Sequence, residues 1–353
     1  MEENILKNKS YKTVNLSPYI NKSSTFMTYL AIFIAVVPQI IMLFVTKSYS
    51  NLIIIATCIF ACLCSEIINY INKKHIKLSI LMSFLKGTLI GFFLPSGYPL
   101  LSVFFITLFV MLFVKYSFGD LIVSWINPVV ITVAICWFVG QINFPSFLVT
   151  KYFLSTKNPS LSLIQEGIFP IFAFDDMVTS FMNDSAFSLF GVSVPSGYAS
   201  LFWDSGSVIP AFRFNFLTLL SSIVLISIDV ITFDIPFCFL TVYALLVKFL
   251  SPVFSGGFPM QGDIILALLS SGILFTAFFL LQWFGTTPMT KAGKLIFGIA
   301  GGIIAFIFCG CGTSPVGAVI SVLFLNIISP VIQYFENRIK RNKLNIILRK
   351  ENA

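Results

Sequence analysis

Long, nearly uninterrupted apolar runs recur along the whole chain, and they restrict its fold more than any other feature. Each run spans roughly 17 to 22 residues, enough to cross a hydrocarbon core of about 30 Å at 1.5 Å per residue. Only 10% of the 353 residues are charged while 57% are hydrophobic, against about 25% charge in a soluble domain. The expected class is therefore an all-α polytopic membrane protein. Ten spans are predicted, over about 26–45, 51–71, 78–95, 99–115, 127–145, 214–231, 235–252, 264–283, 294–308 and 313–333.

The placement of lysine and arginine orients these spans, because short cytoplasmic loops hold the excess of both. With the N-terminus inside, sixteen of the 22 fall on the inner side, and Lys47, Lys151, Lys157 and Arg213 fall outside. Both termini are predicted to be cytoplasmic. Residues 1–24 form a polar tail with no cleavable signal peptide, and 334–353 form a basic tail. The outer segment 146–213 is much longer than any other loop, holds Glu166, Asp175, Asp176, Asp184 and Asp204, and separates five spans in 25–145 from five in 214–333.

The two groups are weakly similar. Gly87-Thr88-Leu89-Ile90-Gly91-Phe92-Phe93-Leu94 matches 272–280 with one insertion, and Asn127-Pro128-Val129 matches Ser314-Pro315-Val316. An odd number of spans in each group places the second upside down relative to the first, an inverted repeat. Such repeats hold ligands where Gly and Pro interrupt helices near the pseudo-twofold axis. The candidate interruptions are 94–99, Asn127-Pro128, 285–288 and 310–315, each also readable as an ordinary cap or turn.

Several functions are excluded or disfavoured. The net charge of +8 sits in tails and short loops, as topology requires, and nucleic-acid binding is not expected. No phosphate loop, dinucleotide fingerprint, hydrolytic triad or metal-ligand cluster is present, so neither a catalytic residue nor a metal site is assigned. His75 lies alone in the basic loop 72–77. The seven cysteines, at 58, 62, 64, 136, 238, 309 and 311, read as small buried hydrophobes, with Cys309-Gly310-Cys311 the one place where thiols meet a flexible break. Lys86 stands mid-span, too deep for easy snorkelling, and is the clearest intramembrane charge. Asp263 reads as the N-cap of the span that follows.

Asn15-Leu16-Ser17-Pro18-Tyr19, Gly119 to Pro128, the stretch from Thr287-Pro288-Met289-Thr290-Lys291 to Gly298, and Leu323-Phe324-Leu325-Asn326-Ile327 together resemble the RnfD/NqrB family: the D component of the Rnf complex and the B component of the Na+-translocating NADH:quinone reductase. The resemblance covers about 15 to 340. It implies a ten-helix inverted repeat like that of urea transporters, a flavin-carrying membrane component, and partners among the other membrane subunits of a redox-driven ion pump in the bacterial inner membrane. In that family FMN is esterified to a threonine within a stretch of small residues, and the matching segment is Asp175-Asp176-Met177-Val178-Thr179-Ser180-Phe181-Met182. Phe181 or Met182 occupies the acceptor position, leaving Thr179 or Ser180 as the available hydroxyls. Further departures are Phe284-Gly285 where the family has Asp-Pro, Val316 where it has an acidic residue, and Lys86 where it has a small polar one.

The resulting expectation is a membrane subunit of an Rnf- or Nqr-type complex that couples electron transfer through flavin to Na+ or H+ movement. Asn127, Thr286, Thr287 and Thr290 would line the helix-break site, and Thr179 or Ser180 would serve the flavin. The competing expectation is a non-redox transporter or channel on the same fold, passing riboflavin or a urea-like solute after loss of the covalent flavin site.

Overall fold

The computed structural model describes residues 25–70, 76–118, 126–145, 152, 163–164, 166–191, 193–255, 260, 262–283, 285–310 and 314–351. The 1–24 tail with its Asn15–Tyr19 motif, the His75 loop, 119–125, most of 146–162, Phe284 and 311–313 with Cys311 lie outside the described residues.

Among the described residues all regular structure is helical. The first group contains α1 (Thr25–Val45), α2 (Tyr49–Tyr70), α3 (Ile76–Phe92), α4 (Leu100–Phe118) and α5 (Pro128–Val139). The described residues of the long connecting segment include α6 (Asp175–Met182) and α7 (Tyr198–Trp203). The second group contains α8 (Asn215–Ser227), α9 (Asp234–Ser255), α10 (Ile264–Ser270), α11 (Ile273–Phe279), α12 (Lys291–Cys309) and α13 (Gly317–Glu351). Five of these, α1, α2, α9, α12 and α13, are long and apolar enough to cross a membrane, and α3, α4, α5 and α8 are shorter apolar helices.

The surface identifies the solvent. Ile34, Ile41, Phe60, Leu101, Phe105, Phe109, Phe138, Ile223 and Ile307 are all at least half exposed, whereas Gln39, Thr88, Asn127, Thr132, Thr218, Thr276 and Asn326 are wholly buried. An apolar exterior around polar interior positions is the arrangement hydrocarbon imposes. The chain is a multi-pass membrane protein.

The helices pack in two similar sets. In the first, α2 lies on α3 and α4, α4 on α5, and α3 on both α1 and α5. In the second, α9 lies on α10, α11 and α12, α12 on α13, and α11 on both α8 and α13. The sets meet where α1 packs on α8 and α5 on α13. Gly87 and Gly91 let α3 press against α2, since a Cβ on either would lie 2.5–2.6 Å from the Cα of Ile59 or Ile55. At the junction Phe92 of α3 stacks on Phe275 of α11 with centroids 5.4 Å apart, and Phe275 stacks on Phe279 at 4.5 Å. Offset stacking of this kind adds about 0.5–1.5 kcal/mol beyond area burial.

The expected span 264–283 is corrected. It is two short helices, broken at Ser271-Gly272. Gly272 has φ +67°, and a Cβ there would overlap the Phe212 ring, so the close approach of the connecting segment requires glycine. Ser270 and Ser271 return their hydroxyls to the Leu266 and Ala267 carbonyls, supporting the end of α10. Asp263 caps α10 as expected, accepting from Leu266 N–H at 2.9 Å. Two other boundaries differ. The span expected over 127–145 is helical only to Val139, and α13 continues as one helix to Glu351 through the expected tail.

Candidate functional site

Pro128 sits at the first turn of α5, where its missing N–H costs nothing, and Asn127 caps the helix. The Asn127 Oδ1 accepts from Val129 N–H at 3.0 Å, and its Nδ2 donates to the Leu280 carbonyl, at the end of α11, at 3.2 Å. One wholly buried side chain thus ties the start of a first-group helix to the end of a second-group helix.

After α11 the described residues run through turns and bends to α12, and α13 holds them. Thr286 is buried and donates to the Trp283 carbonyl at 2.8 Å, while its own carbonyl accepts from Ser329 Oγ. The Thr287 carbonyl accepts from Gln333 Nε2 at 3.3 Å. Thr290 caps α12, accepting from Gly293 N–H at 3.0 Å, and donates its hydroxyl to Glu336. Glu336 also accepts from the backbone N–H groups of Met289 and Thr290, at 3.2 and 3.0 Å. A carboxylate receiving three donors at a helix N-terminus is stabilised by charge-assisted hydrogen bonds and the helix dipole. A Cβ at Gly293 would overlap Glu336 Oε1, so glycine there makes room for the carboxylate.

Of the residues expected to line the helix breaks, Thr286, Thr287 and Thr290 share one connecting segment, and Asn127 joins the same end of the fold through Leu280. Ser329, Gln333 and Glu336 escaped sequence reasoning: Ser329 lies inside the expected last span, where a serine reads as tolerated polarity, Gln333 at its end and Glu336 beyond it. Their spacing of four and three residues after Ser329, with Asn326 three residues earlier, marks a polar stripe on one helix face. Asn326 is wholly buried, and both its amide atoms have no hydrogen-bond partner among the described residues; the Thr276 hydroxyl is in the same state.

Lys86 is buried on α3 and has an interaction partner. One turn earlier Ser83 donates to Glu66 of α2 at 3.1 Å, so this part of the α2–α3 contact is polar. The described cysteines are free thiols, and among the described residues no group of His, Cys, Asp and Glu can hold a metal ion. A groove of about 700 Å³ on α4 and α5, lined by residues such as Phe105, Phe109, Phe113, Ile131 and Ile135, is almost wholly apolar and offers no chemistry.

The connecting segment is folded around Asp175. Its carboxylate is buried and accepts from Gly197 N–H at 2.6 Å, Ser200 N–H at 2.5 Å and Thr179 Oγ1 at 3.1 Å. Burial alone would raise the Asp175 pKa, but the bonds from Ser200, Gly197 and Thr179 outweigh it and hold the carboxyl below its ordinary value. Thr179 is thus buried and committed to Asp175, whereas Ser180 is exposed and donates to the Met177 carbonyl at 3.0 Å. Further on, Arg213 forms a two-pronged pair with Asp204 at 2.8 and 2.5 Å, donates to Ser48 beyond α1 at 2.8 Å, and lies 4.8 Å from the Phe214 ring centroid.

Fold and site together define a polytopic helical membrane protein whose two groups of helices are joined by capped, proline-marked helix breaks. The chain belongs to the NQR2, RnfD, RnfE family, which matches residues 13–341. It is similar to the D component of the Na(+)-translocating ferredoxin:NAD(+) oxidoreductase complex of Acetobacterium woodii, 25% identical over 327 residues, 92% of this chain and 93% of the relative. It is also similar to the D component of the proton-translocating ferredoxin:NAD(+) oxidoreductase complex of Clostridium ljungdahlii, at 22% over 337 residues, 94% and 96% of the two chains. The D component of the ion-translocating oxidoreductase complex of Cronobacter sakazakii is 24% identical over 350 residues, 90% and 95% of the two chains.

Proposed function

We propose that this chain is the D-type membrane component of an ion-translocating electron-transport complex, working in the bacterial cytoplasmic membrane with other subunits of that complex. The observation that carries the reading is similarity along nearly the full length of three relatives whose names describe the D component of such complexes. Both termini lie on the cytoplasmic side in this reading, as the lysine and arginine distribution requires.

Ten spans arranged as two inverted groups of five form the scaffold, α10 and α11 together making the eighth. Three observations support the repeat. Within-group packing is similar in the two groups, although α1 packs on α2 more extensively than α8 does on α9, and the contacts between groups join counterpart helices, α1 with α8 and α5 with α13. Asn127 and Ser314 each accept from the N–H two residues ahead, Val129 and Val316, before counterpart helices. The Phe92–Phe275 stack joins the segments whose sequences match.

In this scaffold Asn127 positions the junction of α5 and α11, and the 286–290 segment is held by α13 so that the start of α12 keeps a fixed place. These residues shape a path for Na+ or H+ and bear no redox group themselves. FMN, when bound, would supply one- and two-electron transfer. The 175–182 segment fits a covalent FMN phosphate poorly, because Thr179 is buried against Asp175 and Ser180 is followed by Phe181 and Met182. The same poor fit favours the second reading, a non-redox transporter for a small solute such as riboflavin or a urea-like molecule.

Subunit composition separates the two. The chain, tagged in its native membranes and extracted in mild detergent, is expected to purify in fixed ratio with other membrane subunits and with redox subunits. Absorbance before and after acid denaturation, with intact mass of the chain, then reports whether flavin is covalent, released or absent. Purification of the chain alone, with no redox-active partner, would replace the first reading with the second.

A further inference from the structure

Helix α13 runs unbroken for 35 residues, far more than a bilayer needs. About twenty residues along it, Glu336 bonds the start of α12 beside Lys291, and next to it Tyr334 and Phe335 are exposed aromatic residues, with tyrosine of the kind enriched where a helix meets the membrane–water interface. From Glu336 to Glu351 the helix extends about 22 Å further at 1.5 Å per residue. Every side chain from Asn337 to Asn342 is exposed, including Arg338, Lys340 and Arg341. Along the same extension the sequence adds Lys343, Arg349 and Lys350 against the single acidic Glu351. Ile339, at the start of the extension, is 57% exposed.

We propose that the extension of α13 beyond Glu336 is a docking helix for an acidic face of a water-side protein of the complex, on the membrane side that carries Lys291 and Lys294. This rests on the reading of the chain as part of a multi-subunit complex. Anionic lipid is the other chemistry that attracts a basic helix. However, a helix leaving the membrane without a break carries its last two turns beyond the range of about 8–10 Å over which headgroup charge is felt at physiological salt. A basic helix that lies on a membrane runs in the interfacial plane, whereas α13 continues as one helix from its apolar part through to Glu351. A projecting helix of this length is marginal in water unless packed, and a partner groove lined by carboxylates supplies that packing.

The test uses the intact complex in native membranes. A photo-crosslinking p-benzoylphenylalanine in place of Arg341 should give one adduct with a water-side polypeptide of the complex, mapping by mass to an Asp- and Glu-rich peptide. Replacing Arg338, Lys340, Arg341 and Lys343 together by Glu should lower the yield of that polypeptide about tenfold, while this chain and the other membrane subunits stay at wild-type levels. The milder replacement by Gln should give an intermediate loss that grows with salt. Adducts with lipid alone, no adduct, or full retention of every subunit in the Glu variant would overturn the docking site while leaving the reading of the chain as part of a complex intact. Failure of the unaltered chain to purify with any partner would overturn both.

Discussion

The most consequential single residues on the connecting segment are buried charges. Asp204 and Arg213 are both less than a tenth exposed and satisfy each other through two parallel bonds, with Ser48 taking a further donor. Removing one partner strands the other, which costs about 3–5 kcal/mol in such pairs. Asp204→Ala should therefore lower the midpoint of thermal unfolding in detergent sharply, and Asp204→Ala combined with Arg213→Met should recover part of the loss. No change in the single variant would show that the pair does not hold the segment to α1. Asp175 makes a different prediction. Its folded-state pKa is lowered, so its contribution to stability is complete above the ordinary carboxylate value of 3.8 and is lost as pH falls through the lowered value. Proteolysis of the 166–213 region should stay slow from neutral pH down to about 4 and accelerate below it, and Asp175→Asn should abolish that acid-triggered step.

Among the helices, the legibility of the sequence depended on whether a boundary had its own chemistry. Asn127-Pro128 and Asp263 announced helix starts because a capping oxygen or a ring-locked φ leaves a local signature, whereas Thr290, expected only to line a break, caps a helix that starts three residues before the expected span. The break at Ser271-Gly272 left none, because it is dictated by the Phe212 ring, 60 residues away in sequence, and an apolar run reads the same whether straight or broken. Gly272→Ala should consequently destabilise the protein by about 1–3 kcal/mol, through the positive φ and the overlap with Phe212. Gly272→Ala with Phe212→Leu should relieve the steric part alone. Equal unfolding midpoints for Gly272→Ala and the unaltered chain would mean that the break has another cause. Glu336 was equally hidden, since one carboxylate among the basic residues of 334–353 looks like a solvated charge until α13 is seen to bring it against Thr290.

For the whole molecule, hydropathy alone defined the class, and the lysine and arginine count proposed its orientation, because the bilayer is the solvent that selects both. The candidate site was only half legible: Asn127, Thr286, Thr287 and Thr290 stood out as residues beside Gly and Pro, but the polar face of α13 that holds the last three is visible only when the helices are packed. The central claim is that this scaffold serves redox-driven ion movement. The most direct measurement is ion uptake by inverted membrane vesicles supplied with reduced ferredoxin and NAD+, comparing cells with the gene, without it, and with Asn127→Leu, which removes the bond joining α5 to α11 and the cap of α5. The account predicts donor-dependent Na+ or H+ uptake with the gene, none without it, and a loss of about tenfold or more with Asn127→Leu. Undiminished donor-dependent uptake in the deletion, alongside solute flux through liposomes containing the purified chain alone, would contradict it.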